Sequence, residues 1–278
     1  MLRNAEWINL VFFVSMAGVA MWFPLPPGRR HGVLAFGAAG VLATLAGAVS
    51  SVLMPSDWSG VLRDWLPAPI LPCAYWQAGR FYSAPNQRLQ DRLERIDAYF
   101  AVWLSRLDRA AEAPRAVRYL EATYLLAYPL VPLGLGALYL AGLGALADTF
   151  WTVVLPAAYV CYGMVPLAPL LPPRLSDGGS GGLDRWARAP RRAGDGRRLN
   201  LWFLDRFGIV ANTFPSGHVA ATTAASLVVA QHLPSVGGVF LFLSGSIAVS
   251  VVVRRYHYLA DAVLALALAF VVWWVVAG

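Results

Sequence analysis

The chain contains no lysine: all 22 of its basic residues are arginine, set against 15 acidic ones. Charge of either sign is scarce, at 13% of 278 residues, about half of the ~25% that a soluble domain carries. The arginines flank apolar runs and do not form a solvated basic face, which excludes nucleic acid as a partner. Cysteine is almost absent. Cys73 and Cys161 stand alone in apolar surroundings, a spacing that argues against a disulfide framework or a metal pair and for two buried thiols. The glycine-rich stretch at 176–182 lacks the Gly-Lys-Ser/Thr that would make it a phosphate-cradling loop. No internal repeat is evident.

What the chain has in abundance is hydrocarbon, with 58% hydrophobic residues and a mean hydropathy of +0.57. A helix crosses a bilayer with about 20 mostly apolar residues. Seven stretches serve: 7–23, 32–53, 117–142, 150–171, 219–232, 238–253 and 258–276. The expected fold is an all-α, polytopic membrane bundle of about seven transmembrane helices with one interfacial amphipathic helix. It reads as one compact unit, residues 1–115 giving two spans and the amphipathic helix, residues 116–278 a catalytic helical core. No small-residue cleavage site follows the first span and a second comes at once, so it reads as an uncleaved anchor. Gly37, Gly40 and Gly47 in the second span would let neighbouring helices approach closely.

Between 55 and 80 lie the interface-seeking Trp58, Trp65, Tyr75 and Trp76 together with Pro67, Pro69 and Pro72. The prolines argue for a surface-lying or re-entrant piece. From 86 to 107, Leu89, Leu93, Ile96, Phe100, Trp103 and Leu107 recur at steps of four and three, with charge on the opposite side. This predicts the interfacial helix, with a coiled-coil seam as the alternative. Glu121 lies one turn inside the third span. Carboxylates there usually face the bundle interior, so Glu121 either pairs with an active-site arginine or stays at headgroup level. The second half of the loop 172–212 is basic through Arg185, Arg188, Arg191, Arg192, Arg197 and Arg198, and reads as solvated or touching headgroups.

Two short stretches carry the chemistry: Asn-Thr-Phe-Pro-Ser-Gly-His at 212–218 and Arg-Arg-Tyr-His-Tyr-Leu-Ala-Asp at 254–261. Each puts a histidine at the mouth of an apolar helix, and the single run between them brings both to one membrane face. Pro215 suits a first helical position, with Asn212 or Thr213 as cap. Helix-start amides favour an anion, Ser216 adds a hydroxyl, Gly217 permits close approach, and His218 can exchange a proton near neutrality. His257 and Asp261 stand four apart on one helical face, so the carboxylate can fix the ring tautomer and leave the other nitrogen nucleophilic. Arg254 and Arg255 lie close enough to bind phosphate oxygens. Each motif alone has a structural explanation, a helix cap or a packed His–Asp pair, and His31 and His232 lie outside this set. The combination is a metal-free phosphoryl-transfer kit.

Pro-Ser-Gly-His followed about forty residues later by His-x-x-x-Asp resembles the type 2 phosphatidic acid phosphatase superfamily. Pro172-Pro173-Arg174 resembles an element of its inositol phosphorylceramide synthase-like branch. The resemblance covers 159 to the C-terminus. It implies that His257 attacks phosphorus, Asp261 orients it, and His218 protonates the leaving group and then activates water or an alcohol. Arg174, Arg254 or Arg255, Ser216 and the Gly217 amide would hold the phosphate, with no metal and no cofactor. The chain departs from the family pattern at Leu167, where lysine is usual, at Leu175 after Arg174, and at Val251, where arginine is usual. The phosphate clamp is thereby rearranged, leaning toward the synthase-like branch.

The partners implied are the bilayer and a lipid bearing phosphate or diphosphate. The location implied is a bacterial inner or plasma membrane with an extracytoplasmic site. With seven spans the N-terminus shares the active-site side, which collects 20 of 22 arginines and leaves Arg29 and Arg30 opposite. The positive-inside rule would put such a side in the cytoplasm. Hydrolysis of a lipid phosphate or prenyl diphosphate is the expected function. The alternatives are transfer of a phospho-headgroup to a lipid alcohol, and a non-catalytic transporter or scaffold that keeps the motif. Soluble haloperoxidases sharing these motifs are excluded by the spans.

Overall fold

The computed structural model describes residues 1–53, 57–100, 102–104, 106, 113–176 and 195–278. Among these residues the regular structure is helical, apart from one isolated antiparallel bridge between Leu170 and Asn212. The helices are α1 (Asn4–Trp22), α2 (Pro27–Leu53), α3 (Asp57–Trp65), α4 (Pro67–Gly79), α5 (Gln87–Tyr99), α6 (Pro114–Leu140), α7 (Ala147–Gly163), α8 (Asp195–Phe207), α9 (Gly217–His232), α10 (Pro234–Val253) and α11 (Leu259–Ala277). The glycine-rich stretch beyond Ser176 and Arg185, Arg188, Arg191 and Arg192 lie outside the described residues.

Among the described residues, six segments are long and apolar enough to cross a membrane, namely α1, α2, α6, Gly144–Gly163, α10 and α11. The chain is a polytopic helical membrane protein. α9 has 16 residues, about 24 Å at 1.5 Å per residue. It is shorter than a lipid-facing span because lipid is not its solvent. Eleven of its residues are buried, and α6, α7, α10 and α11 pack around it. Its polar side chains are met inside the bundle, as in the Thr223–Ser244 hydroxyl pair at 2.7 Å. The expected span 150–171 ends at Gly163, because Pro166 and Pro169 follow and the chain turns along the rim to the Leu170–Asn212 bridge.

The bundle has two rims. At one, Arg63 binds Glu6 at 2.5 and 2.6 Å, Arg3 pairs with Asp64, Tyr139 Oη donates to Asp64 at 2.5 Å, and Ala5 N donates to Asp148 at 3.0 Å. The last turn of α11 ends there as well, where Gln231 Nε2 donates to Ala277 O at 2.9 Å. At the other rim α5 and α8 meet the starts of α6, α9 and α11.

Of the segment 55–80, expected as a surface-lying or re-entrant piece, residues 57–80 run from the first rim to the second. A Cβ on Gly47 would strike Leu66, one on Gly37 would strike Gln77, and Gly32 lies against Arg80, so α4 descends antiparallel to α2. Gly37, Gly40 and Gly47 thus make the close helix contacts expected of small residues, Gly40 receiving the Phe13 ring of α1. The prolines do not break the helix because Pro67 and Pro69 fall in its first turn, where no amide is required, and only Pro72 is internal. This crossing moves the N-terminus: it lies with the C-terminus at the rim opposite the two motifs, not beside them. Arg29, which binds Tyr82 O, and Arg30, which reaches Phe23 O, move to the motif side, while Arg3 and Arg63 take the opposite one.

One hydrophobic core joins α1 to α11, with Phe13, Phe150, Trp151 and Leu155 fully enclosed. On the motif rim the Asn86 side chain caps α5 by accepting from Leu89 N at 3.2 Å. The protein-facing side of α5 is Gln90, Leu93 and Asp97, while Ile96, Phe100 and Trp103 of the apolar stripe point outward, as an interfacial helix requires.

Candidate active site

α9 and α10 run out and back, and the return brings the two motifs together. The His218 and His257 ring centroids are 6.3 Å apart. The starts of the two helices are tied directly, since Ser216 N donates to Asp261 O at 3.2 Å. Asp261 is fully buried. Its Oδ2 accepts from His257 Nδ1 at 3.2 Å, from Tyr258 N at 3.1 Å and from Asn212 Nδ2 at 2.5 Å. A carboxylate oxygen with these donors holds the proton of His257 on Nδ1 and leaves the Nε2 lone pair for chemistry. Asn212 therefore braces Asp261 and is not the helix cap. The Leu170 bridge fixes its backbone, with Asn212 N donating to Leu170 O at 2.8 Å.

The cap of α9 is Ser216, whose Oγ accepts from Val219 N at 3.5 Å, so the helix begins at Gly217 and not at Pro215. Gly217 N is occupied by Thr213 Oγ1 at 3.0 Å. A Cβ on Gly217 would stand 2.6 Å from Tyr162 Cε1, so the glycine is required by an aromatic ring packed on the helix start. Ser216 is fully buried beneath the same turn. These two residues build the turn, and their expected contact with phosphate does not follow from the geometry. His218 stacks near-parallel on Tyr124 at 5.7 Å and edge-on to Tyr128 at 5.0 Å. Its Nε2 is buried and takes no hydrogen-bond partner among the described residues.

A second cluster adjoins the histidines. Tyr256 stacks on Tyr124 at 3.9 Å, and the guanidinium carbons of Arg174 and Arg197 lie 5.4 and 5.7 Å from the Tyr256 ring centre. Beneath them Glu121, 1% exposed, accepts from Arg254 Nε at 2.6 Å, Arg197 Nη1 at 3.3 Å, Tyr256 Oη at 2.9 Å and Asn200 Nδ2. Of the two alternatives that the sequence leaves open for Glu121, the arginine pairing is the one realised. Burial and the Glu121 carboxylate both push the Tyr256 phenol up, keeping it a neutral donor. Arg255 takes a left-handed backbone, φ 61°. Its carbonyl accepts from Arg174 N at 3.2 Å, while its side chain turns away to Asp97 at 3.8 Å. Asp97 Oδ1 also accepts from Leu259 N at 3.1 Å, the first residue of α11. Burial lifts Asp97 from 3.8 to about 6.

The structure thus brings together His218, His257, Asp261, Arg174 and Arg254, and places Arg255 at the margin. Four features escape the sequence: the bracing role of Asn212, the Glu121 partners Arg197 and Asn200, the tyrosine stack, and the Asp97 tie. Asn212 stands directly before the motif and Arg197 in a basic run, but a partner for either can be named only once the loops are folded against α6 and α11.

Compared with known proteins, the family model described as the PAP2 superfamily matches residues 93–275, about two thirds of the chain. No curated protein and no solved structure matches it.

Proposed function

Because the chain belongs to the PAP2 superfamily, a group of phosphoryl-transfer enzymes, we propose that it is a lipid phosphatase that works through a phosphohistidine on His257. The observation that carries this reading is the chain Asn212–Asp261–His257, with the unpartnered Nε2 of His218 across the gap. In the first step the His257 Nε2 lone pair forms a bond to phosphorus. The bond from phosphorus to the leaving oxygen breaks, and protonated His218 delivers its proton to that oxygen. In the second step water attacks phosphorus, its proton goes to His218, the P–N bond breaks, and inorganic phosphate leaves. The leaving group is a lipid alcohol from a monophosphate, or a lipid phosphate from a diphosphate.

Charge on the phosphoryl oxygens is met by Arg174, Arg197 and Arg254, pre-set by Glu121 and Tyr256. This set replaces Ser216, Gly217 and Arg255 as the clamp. Arginines dominate the motif rim, while Arg3 and Arg63 at the other rim are paired with Asp64 and Glu6. Such a rim suits anionic headgroups, and the reading keeps it on the extracytoplasmic side of a bacterial inner membrane, as the family resemblance implies.

A second reading, transfer of a phospho-headgroup to a lipid alcohol, is favoured by the docking of Pro172-Pro173-Arg174 onto the second motif. Arg174 N binds Arg255 O, and both prolines are buried. The test is phosphate release by purified protein in detergent over phosphatidic acid, phosphatidylglycerol phosphate and undecaprenyl diphosphate, wild type against His257→Ala. Release that vanishes in the variant supports hydrolysis. Absence of release, with labelled headgroup moving onto an added lipid alcohol, moves the assignment to transfer.

A further inference from the structure

The site described above accounts for the phosphate end of a lipid. A cavity of about 360 Å³ beneath it accounts for the other end. It begins at His218, at the start of α9, and runs between α4 and α6, with Phe203 of α8 as its roof. Leu71, Pro72 and Trp76 form the α4 wall and Val131 belongs to the α6 wall. The α6 wall is long and apolar enough to cross a membrane, and the α4 wall runs alongside α2, which is so too, so the cavity lies at hydrocarbon depth.

Two polar groups near this lining are already committed. Tyr75 Oη accepts from Ile209 N at 3.1 Å, and Trp76 Nε1 donates to Phe207 O at 2.8 Å. Apart from His218 at its mouth and the phenols of Tyr128 and Tyr162, what remains for a ligand is hydrocarbon and aromatic surface. A sugar, nucleotide or peptide would lose its water there and find too few partners to replace it. The volume is at the small end of ligand pockets, roughly 300–1,000 Å³, and suits one chain, not two abreast. The α4 wall, Pro67–Gly79, precedes the segment 93–275 covered by the family match. This side of the cavity is therefore added by the N-terminal region of this chain.

We propose that the groove between α4 and α6 holds a single hydrocarbon chain of the lipid, and that α4 sets which chain is accepted. The placement of the phosphate end rests on the catalytic reading above. The groove gives the N-terminal helices a role in specificity. A lipid reaches the histidines by sliding sideways from the bilayer, its chain along Trp76 and Leu71 and its phosphate toward His257.

The experiment uses wild-type protein in detergent and a long-chain alkyl phosphonate, which resists hydrolysis, carrying a diazirine midway along its chain. After illumination, proteolysis and mass spectrometry locate the adducts. The expected adducts fall in Pro67–Gly79 and in 127–132 of α6, and decrease about tenfold with Leu71→Trp, which fills the space of roughly two methylenes. Adducts confined to other helices, or unchanged by Leu71→Trp, overturn the proposal. A second measurement compares kcat/KM for a long-chain and a butyl phosphate. Leu71→Trp is expected to lower the long-to-short ratio about tenfold, and an unchanged ratio counts against the groove. Crosslinking needs no turnover. A protein that labels α4 but releases no phosphate sinks the catalytic reading alone, while one that turns over but labels elsewhere sinks the groove alone.

Discussion

Replacing Glu121 by glutamine changes one atom of the side chain and the whole electrostatics of the clamp. Two carboxylate oxygens at 1% exposure receive donors from Arg254, Arg197, Tyr256 and Asn200. Glutamine keeps the shape but offers one accepting oxygen and turns the other position into a donor. At least one of those four donors then faces an N–H, and two guanidiniums lose this counter-charge. Breaking a buried ion pair by removing one partner costs about 3–5 kcal/mol. For a chain of this size each kcal/mol moves the melting temperature by roughly 2–4 °C, so Glu121→Gln is expected to melt about 10 °C lower in detergent. Because Arg197 and Arg254 lose their shared anchor, KM for a lipid phosphate is expected to rise together with the loss of stability. Adding Arg254→Gln to Glu121→Gln should cost less than the sum of the single changes, since one of the two guanidiniums facing the lost carboxylate is then removed. A single variant that melts within about 2 °C of wild type, with unchanged KM, refutes the claim that this network holds the clamp.

Gly217→Ala drives a Cβ into the Tyr162 ring and is expected to cost about 1–3 kcal/mol, with Tyr162→Leu restoring stability in the same thermal assay. Asp97 gives a pH signature whose sign is fixed by its raised pKa. The folded chain favours the protonated form, so this contribution is complete below the unfolded value of 3.8 and is lost as pH rises through about 6. The loss is at most about 3 kcal/mol. Asp97→Asn is therefore expected to flatten the fall in melting temperature between about pH 4 and pH 7, and an unchanged slope would rule out Asp97 as its source. Orientation is tested with single cysteines in a Cys73→Ser, Cys161→Ser background. A membrane-impermeant maleimide added to whole cells is expected to label Arg206→Cys at the motif rim and not Ser235→Cys at the other. The reverse pattern puts the site in the cytoplasm, where the arginine excess alone would place it.

The helices and the meeting of the two motifs are legible in the sequence because they depend on local properties. Apolar runs near 20 residues mark spans, and one run out and one back returns His257 to His218. Glu121 is legible only as two alternatives, an arginine pair or a carboxylate at headgroup level, and the fold decides between them. The crossing of α4 is hidden because its prolines look like breakers, and only their register in the first turn makes them compatible with a helix. A segment that does not cross also puts the N-terminus on the wrong rim. The clamp is partly hidden for another reason. Arg255 follows Arg254 directly, and sequence cannot tell which of two neighbours turns inward. Here a left-handed backbone at Arg255 sends its side chain to Asp97 and leaves Arg254 with Glu121. Ser216 and Gly217 look like ligand contacts in the sequence because helix starts bind anions. In the folded chain Ser216 caps the helix, the Gly217 amide binds Thr213, and Tyr162 covers the turn.

The central claim is a covalent bond between His257 and phosphorus. The most direct measurement is to mix wild-type protein with a lipid labelled in its phosphate, quench within the first turnovers, and look for protein-bound label that is lost in acid and stable in base. Such label is expected on wild type, with accumulation in His218→Ala when a good leaving group bypasses the need for a proton, and none in His257→Ala. Label that persists in His257→Ala, or turnover in that variant at the wild-type rate, would contradict it.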